Sequence, residues 1–515
     1  MARKKWLGGS SVVALGVGCA MLMQVSEAEA ICNPTAPVND ATVVCSGVTT
    51  NQNRVEGYGT GGEHGLKINV QSGASVTGDG LGFDLGGSNT INNSGNISGG
   101  DGGIFTGVNG DTGPSTIFNS GTITSSNFAI FFNSNSVGNT LTLDTTSVIN
   151  GKVLGAGSDI LQLGGTGNRS FNVSDIGANQ QYQGFSTFNK IGASTWTLTG
   201  TGAQNWNISQ GFLVGDTNSL QGSHTIADGA ELIFDQSAVG TGTYAGSISG
   251  AGEVSVRGGG ELIMKGKNIY TGATGVDGTL VVDGSLASAV FVTGSGTLAG
   301  NGSVGKTLIQ GGTLSPGHNG IGTLTVNGDL AFTTGSTYLF GVSGFSSGRT
   351  NVTGTATLTG ATARAVFAGG IFNNHFTVLS AQGGLNGTTF ADFQTNNSAI
   401  TAKLSYTNTD VILNLTSGFS LLGGLTGLTR NQTVVASALD NALNNGGNTL
   451  AGLLNLSNAQ LPAAFDALSG EGTSATQETA FGASRGFTAM MMQQGAFWKS
   501  GAGEDTNGVT YGAAR

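Results

Sequence analysis

Four histidines are scattered along the chain at His64, His224, His318 and His375, and none sits in the H-E-x-x-H pattern that puts two imidazoles and a carboxylate around one zinc ion. Gly344-Phe345-Ser346-Ser347-Gly348 matches G-x-S-x-G, the strand-to-helix elbow that exposes a nucleophilic serine. That chemistry needs an alternating strand–helix context, which is lacking here, and a chain so rich in Gly and Ser produces the match by chance. Gly472-Thr473-Ser474 sets a serine after small residues, but in a helical stretch with no His or Asp region upstream. Gly155-Ala156-Gly157-Ser158-Asp159-Ile160-Leu161 has the form of a calcium-binding nonapeptide. Such sites draw ligands from consecutive turns; this one occurs singly, with Leu154 in place of the leading glycine, so a structural turn is expected. No pair of carboxylates has a spacing suited to glycoside hydrolysis. The expectation is a chain without enzymatic activity, metal or organic cofactor.

The first thirty residues read as an export signal. Arg3, Lys4 and Lys5 form a basic start, Leu7 to Met23 is apolar and small, and Ala28-Glu29-Ala30 is an A-x-A cleavage site. The alternatives are an N-terminal membrane anchor and a lipoprotein modified at Cys19; Gly16 disfavours the lipoprotein. Removing residues 1–30 leaves two cysteines, Cys32 and Cys45. In an exported protein the pair reads most simply as a disulfide closing a short loop, with two free thiols as the alternative. No later stretch is long and apolar enough to span a bilayer as a helix.

What must position any site is a repetitive β framework. Only 9% of residues are charged, 92 of 515 are Gly, and the short Val/Ile/Leu/Phe runs suit many brief strands joined by Gly and Asn turns. A net charge of −10 with no basic patch excludes a nucleic-acid partner. Ile91-Asn92-Asn93-Ser94-Gly95-Asn96-Ile97-Ser98 recurs as Ile117-Phe118-Asn119-Ser120-Gly121-Thr122-Ile123-Thr124. Trp196-Thr197-Leu198-Thr199-Gly200 recurs as Leu262-Ile263-Met264-Lys265-Gly266, which sets Leu198 and Met264 about three units apart. Gly296-Thr297-Leu298, Gly312-Thr313-Leu314 and Gly322-Thr323-Leu324 follow, each a glycine turn into a strand. A period in the low to mid twenties with very short strands predicts an all-β fold: a right-handed parallel β-helix over residues 31–418. Residues 419–515 change character and predict a small α-helical segment. Its first helix carries an apolar face at 435, 438, 439 and 442. A second spans Leu461 to Glu471, and a third runs from about Ser474 to Phe497, with Met490, Met491 and Met492 filling gaps in a core.

In this order the segments resemble the passenger proteins of type V autotransporters. The stretch from Gly260 and Leu262 through Gly266, Asn268, Tyr270, Thr271 and Gly272 to Gly278, Thr279 and Leu280 is similar to that family's passenger-associated repeat. Gly312-Thr313-Leu314-Ser315-Pro316-Gly317 with Ile321 to Gly328 is a further family-like signature. Leu461-Pro462-Ala463-Ala464-Phe465-Asp466-Ala467-Leu468-Ser469-Gly470-Glu471 resembles the linker that precedes the family's outer-membrane barrel. The resemblance departs at the end, since the residues after 429 read as helix rather than as alternating barrel strands.

The resemblance implies an exported protein that adheres or interacts at the cell surface or outer membrane. Its expected partners are a host or neighbouring cell surface, a glycan or matrix, periplasmic chaperones, and a translocator barrel supplied in trans. The alternatives are a carbohydrate-active or proteolytic β-helix and an inactive relic retained in the periplasm.

Overall fold

The computed structural model describes residues 31–499 except 108–112, 345, 372–374, 398–399, 416–424, 445–452, 454–455 and 457–458. The proposed cleavage residues Ala28 and Ala30 therefore lie outside the described residues. Two compact units are distinguished. One holds the described residues up to Gln162 together with Ile176–Thr187; the other holds Leu163–Asp175 and the described residues from Phe188 onward. Each is a parallel β-solenoid, the all-β fold that the repeats predict.

In the first unit the 26-residue repeat stacks in register. Ile117 pairs with Ile91, Asn119 with Asn93 and Ile123 with Ile97. The alternation of inward and outward side chains turns that register into ladders. Val43, Ile68, Ile91, Ile117 and Leu141 form one continuous interior column in which every member is fully buried. At about 1.5–3 kcal/mol for each buried aliphatic side chain, such columns supply the main favourable term. At a corner the column turns polar. Asn93 donates to Asn119 Oδ1 (2.7 Å), and Asn119 donates to Ser147 Oγ (2.7 Å). The buried carboxamides thus satisfy one another along the stack, as burial of polar groups requires.

The unit begins with an antiparallel lid. Cys32–Asn33 runs against Thr42–Cys45, the first parallel rung, and Cys32 and Cys45 are joined by a disulfide. Gln52 ties the lid down, accepting from Cys32 N (2.9 Å) and donating to Cys32 O (2.8 Å). With the cysteines 13 positions apart in sequence, the loop-entropy account assigns the bridge about 3 kcal/mol. Reduction is therefore expected to lower the melting temperature of the protein and to speed amide exchange in rungs 42–45 and 67–70. Unchanged exchange there under reductant would count against a capping role.

The second unit stacks three ladders. The first runs from Asn168–Asn172 through Thr195–Thr199 and Gly211–Gly215 to Ala356–Thr357. The second starts at Gly242–Tyr244 and continues through Glu261–Met264, Thr279–Val282, Thr297–Gly300 and Thr313–Pro316 to Thr337–Gly344. The third links Lys267–Asn268, Ser285–Leu286, Ser303–Val304 and Gly322–Val326. Two expectations are corrected here. Leu198 lies in the first ladder and Met264 in the second, so they are not equivalent positions. Gly-Thr-Leu likewise serves two faces: Leu280, Leu298 and Leu314 stack in the second ladder, whereas Leu324 belongs to the third. Corner turns of different lengths cause this, since successive rungs are separated by 16 residues at Thr274–Val290 and by 27 at Asn168–Thr195.

After the last rungs the chain turns antiparallel: Asp410–Leu415 runs against His375–Ala381 on one side and Ala402–Tyr406 on the other. Three helices follow, α1 (Arg430–Asn444), α2 (Leu461–Ser469) and α3 (Glu471–Lys499). A capping box starts α1: Gln432 N donates to Thr429 Oγ1 (3.2 Å), and Thr429 N donates to Gln432 Oε1 (2.9 Å). The same carboxamide then reaches Asp466 of α2 at 2.9 Å, so the cap also pins the helix pair. Ala436, Leu439, Leu461 and Phe465 form its small core. The buried face of α1 is therefore 432, 435, 436 and 439 rather than 435, 438, 439 and 442, rotated because a polar side chain with partners holds one of its positions. Met490, Met491 and Met492 are 66%, 59% and 72% exposed, so they do not fill a core as expected. Among the described residues no helix is long and apolar enough to cross a membrane.

Candidate functional site

The residues singled out by the family-like repeat come together in adjacent coils of the second unit. Leu262 and Leu280 are fully buried and stack directly, with Thr279 beside Glu261 on the outer face. Asn268 is buried at a corner, accepting from Ile248 N (3.0 Å) and donating to Gly266 O (3.2 Å). Tyr270 is fully buried, its hydroxyl 2.6 Å from Thr274 Oγ1, which in turn lies 2.6 Å from Ser288 Oγ. Thr271 N donates to Gly250 O in the preceding coil. A Cβ on Gly260, Gly266 or Gly272 would run into the backbone oxygen of Gly240, Gly246 or Gly252, and one on Gly278 would meet Gly258 O at 2.9 Å. Every member of the repeat thus packs one coil on the next. The arrangement is a scaffold rather than a reaction centre.

The isolated motifs resolve in the same way. Ser346 lies in Ser346–Val352, which folds back antiparallel on Thr337–Gly344 through the pair Ser343 and Ser346. A strand-to-strand reversal of this kind lacks the helix that the nucleophile elbow requires. Asp159 is fully buried, taking Asn139 N (2.8 Å) and Nδ2 (3.1 Å) on one oxygen and Ala156 N (2.6 Å) on the other. Its carboxylate terminates a polar ladder of the first unit. Ser474 lies in α3, and nothing is described of its side chain.

Shifted pKa values gather at functional sites. In the first unit burial, then Glu56, then Glu63, push Asp84 up to about 6. Both neighbours are engaged: Glu56 accepts from Leu81 N, and Glu63 accepts from the Thr60 amide and hydroxyl. With a raised carboxyl pKa the folded form keeps its proton between pH 3.8 and 6 while the unfolded chain has lost it, so the cost to stability builds up as pH rises through that window and is complete above about 6. Asp84→Asn is expected to stabilise the protein at pH 7.5 by about 1 kcal/mol, discounted for partial exposure, with no gain at pH 4. Denaturation midpoints at the two pH values provide the check.

In the second unit, His224 stacks below Trp206 in an interior column and lies 5.9 Å from Tyr244, ring planes 15° apart. Its Nδ1 accepts from Trp206 N (3.3 Å). Burial, partly offset by the Leu220 carbonyl, pulls its pKa down to about 4, so the folded protein holds it neutral. Unfolded, it binds a proton below about 6.5. The stability it confers is therefore complete above pH 6.5 and is lost as pH falls from 6.5 to 4, about 3 kcal/mol in all. His224→Phe is expected to flatten that part of the stability–pH curve; an unchanged slope would count against the assignment.

His318 pairs with Asp283, its Nε2 2.9 and 3.0 Å from the two carboxylate oxygens. This supplies two members of a Ser-His-Asp arrangement, but among the described residues no serine hydroxyl bonds to His318.

No family model matches the chain. Curated relatives do. An "Extracellular serine protease" of Serratia marcescens is 45% identical over 98 residues, 19% of this chain and 9% of the relative. A second protein of that name and species is 39% identical over 98 residues, 9% of its length. "Adhesin BmaC autotransporter" of Brucella suis is 38% identical over 107 residues, 3% of its length. The chain thus spans less than a tenth of the relatives it matches. The expectation that the chain is not an enzyme is overturned by the two protease relatives. Motif spacing was an unsafe basis for it, because a solenoid assembles side chains from different coils, which a search along the sequence does not see. Sequence shared with these relatives over 19% of the chain, carried on a parallel β-solenoid, makes the chain similar to autotransporter passenger proteins.

Proposed function

We propose that residues 31–418 are an exported passenger that acts at the cell surface by binding, with residues 419–515 as its helical linker. The disulfide-tied lid over the first rung carries this reading: such a bridge persists in an oxidising compartment, and it guards the end of a fold whose outward ladders form an interaction surface. The adhesin relative supports the same direction. The half-exposed threonines Thr279, Thr297, Thr313, Thr337 and Thr362 repeat once per coil on the second ladder and give that surface its regular polar texture. The test is protease accessibility on intact cells beside a periplasmic marker. Removal of the protein while the marker survives is expected; protection until the outer membrane is opened would refute surface action.

A proteolytic passenger is the second reading, favoured by the names of the two Serratia marcescens relatives and by the Asp283–His318 pair. Purified protein treated with a serine-directed fluorophosphonate separates the two. A labelled serine together with casein cleavage establishes proteolysis, and neither being seen removes it.

A further inference from the structure

The second ladder of the second unit begins abruptly. Its first strand, Gly242–Tyr244, pairs only with Glu261–Met264, and in the preceding coil the chain makes a turn instead of a rung. Asp216 Oδ1 builds that turn by accepting from Asn218 N and Ser219 N, both at 2.9 Å. Between the turn and the strand lies a groove of about 590 Å³, within the size range of small-molecule sites. Gly242 lets the two walls meet, because a Cβ there would strike Thr217 Oγ1.

The lining has a consistent chemistry. Thr217, Asn218, Gln221, Thr241 and Thr243 present hydroxyls and carboxamides, Val239 adds an apolar patch, and no charged side chain lines the groove. The side chains of Asn218, Gln221, Thr241 and Thr243 are exposed, and none has a hydrogen-bond partner among the described residues. Behind the wall Gln236 is fully buried. Its Oε1 takes the Thr217 hydroxyl at 3.5 Å, while its Nε2 is buried with no acceptor among the described residues. An ion would find no countercharge here, and an apolar ligand would strip water from carboxamides without replacing its hydrogen bonds. A strand edge of three residues offers little to an added peptide strand. Neutral groups that both donate and accept are matched by a ligand whose own hydroxyls do the same.

We infer that this groove binds one or two sugar units of an uncharged glycan. The inference deepens the surface-binding reading and rests on it for its biological use. The purified protein tests the groove and intact cells test display, so either can fail alone. The experiment is saturation-transfer NMR on the full chain with maltotetraose, chitotetraose and mannotetraose, beside tetragalacturonate and a neutral Thr-Val tetrapeptide. Saturable binding of at least one neutral tetrasaccharide is expected, weakened about tenfold or more in Asn218→Ala/Gln221→Ala and unchanged in Gln493→Ala/Gln494→Ala, at exposed positions of α3. The first pair removes side chains that hold nothing else, so its melting temperature stays that of the parent. The inference is overturned if no neutral tetrasaccharide binds saturably, if the groove variant binds like the parent, or if only the charged sugar or the peptide binds.

Discussion

Tyr338→Ala is expected to cost about 4 kcal/mol, among the largest losses available to a single side chain in this fold. Tyr338 stands in the second ladder between Leu314, the last of a run of stacked leucines, and Ala363, and is fully buried. Its ring lies 5.6 Å from Phe390 with the planes nearly parallel, 5.4 Å from Phe340 and 6.0 Å from Phe332. Truncation therefore removes the centre of an aromatic cluster and leaves a cavity that the surrounding rungs, fixed by their own hydrogen bonds, close poorly. The hydroxyl adds a separable part: it donates to the Val378 carbonyl and lies 3.1 Å from Thr350 Oγ1, whose own hydroxyl can donate to it. Burial raises its pKa far above the ordinary tyrosine value, so the group stays neutral over the working pH range. Tyr338→Phe keeps the ring and is expected to cost about 1–2 kcal/mol, chiefly the desolvated Val378 carbonyl left without a donor. Because a solenoid unfolds in pieces, the measurement is amide exchange in rungs 313–316 and 362–365 alongside a global melt. Equal effects of the two variants would place the stabilisation in the hydroxyl and refute the cavity account.

Gly266→Val is expected to be comparably damaging, about 4 kcal/mol, for the opposite reason. Gly246, Gly266, Gly284 and Gly302 form a column in which a Cβ on each of the last three would drive into the backbone oxygen of the glycine before it. Ordinary overpacking costs roughly 1–3 kcal/mol because side chains yield. Here the obstacle is backbone already committed to ladder hydrogen bonds, such as Ser285 N to Gly266 O, so relief requires moving a rung. Gly259→Ala is the internal control: a Cβ there meets nothing within 4 Å. A melting temperature lowered by Gly266→Val and unaffected by Gly259→Ala is the expected pair of results; equal shifts would attribute the glycines to chain flexibility instead.

These cases show which parts of the molecule the residues declare. Ile91 and Ile117 declare their stacking because the turns between them keep one length, so the repeat and the register coincide. Leu198 and Met264 look equivalent but are not, because turn length varies from coil to coil and Gly-Thr-Leu suits any face of the solenoid. The buried face of α1 is hidden by Gln432, which any search for apolar spacing discounts even though its carboxamide is held on both sides. The candidate groove is harder still. Asn218, Gln221, Thr241 and Thr243 have no spacing that marks them, and their proximity follows from a rung replaced by a turn. A sequence signal for that exists only in the negative, as an interruption of the strand pattern between Gly215 and His224. The Asp283–His318 pair is likewise invisible from spacing, since its members meet across coils.

The antiparallel strands at the start of the first unit and at the end of the second carry a consequence for self-association. Rungs stacked 4.7–4.9 Å apart are the spacing of a cross-β fibril, and a bare terminal rung would template the next chain. Cys32–Asn33 covers the rung Thr42–Cys45, and Asp410–Leu415 covers His375–Ala381. An incoming parallel strand meets hydrogen-bonding groups already spent in the opposite sense. The lids thus keep these two rungs from acting as a template, and a chain stripped of its first lid should nucleate fibrils faster than the intact one.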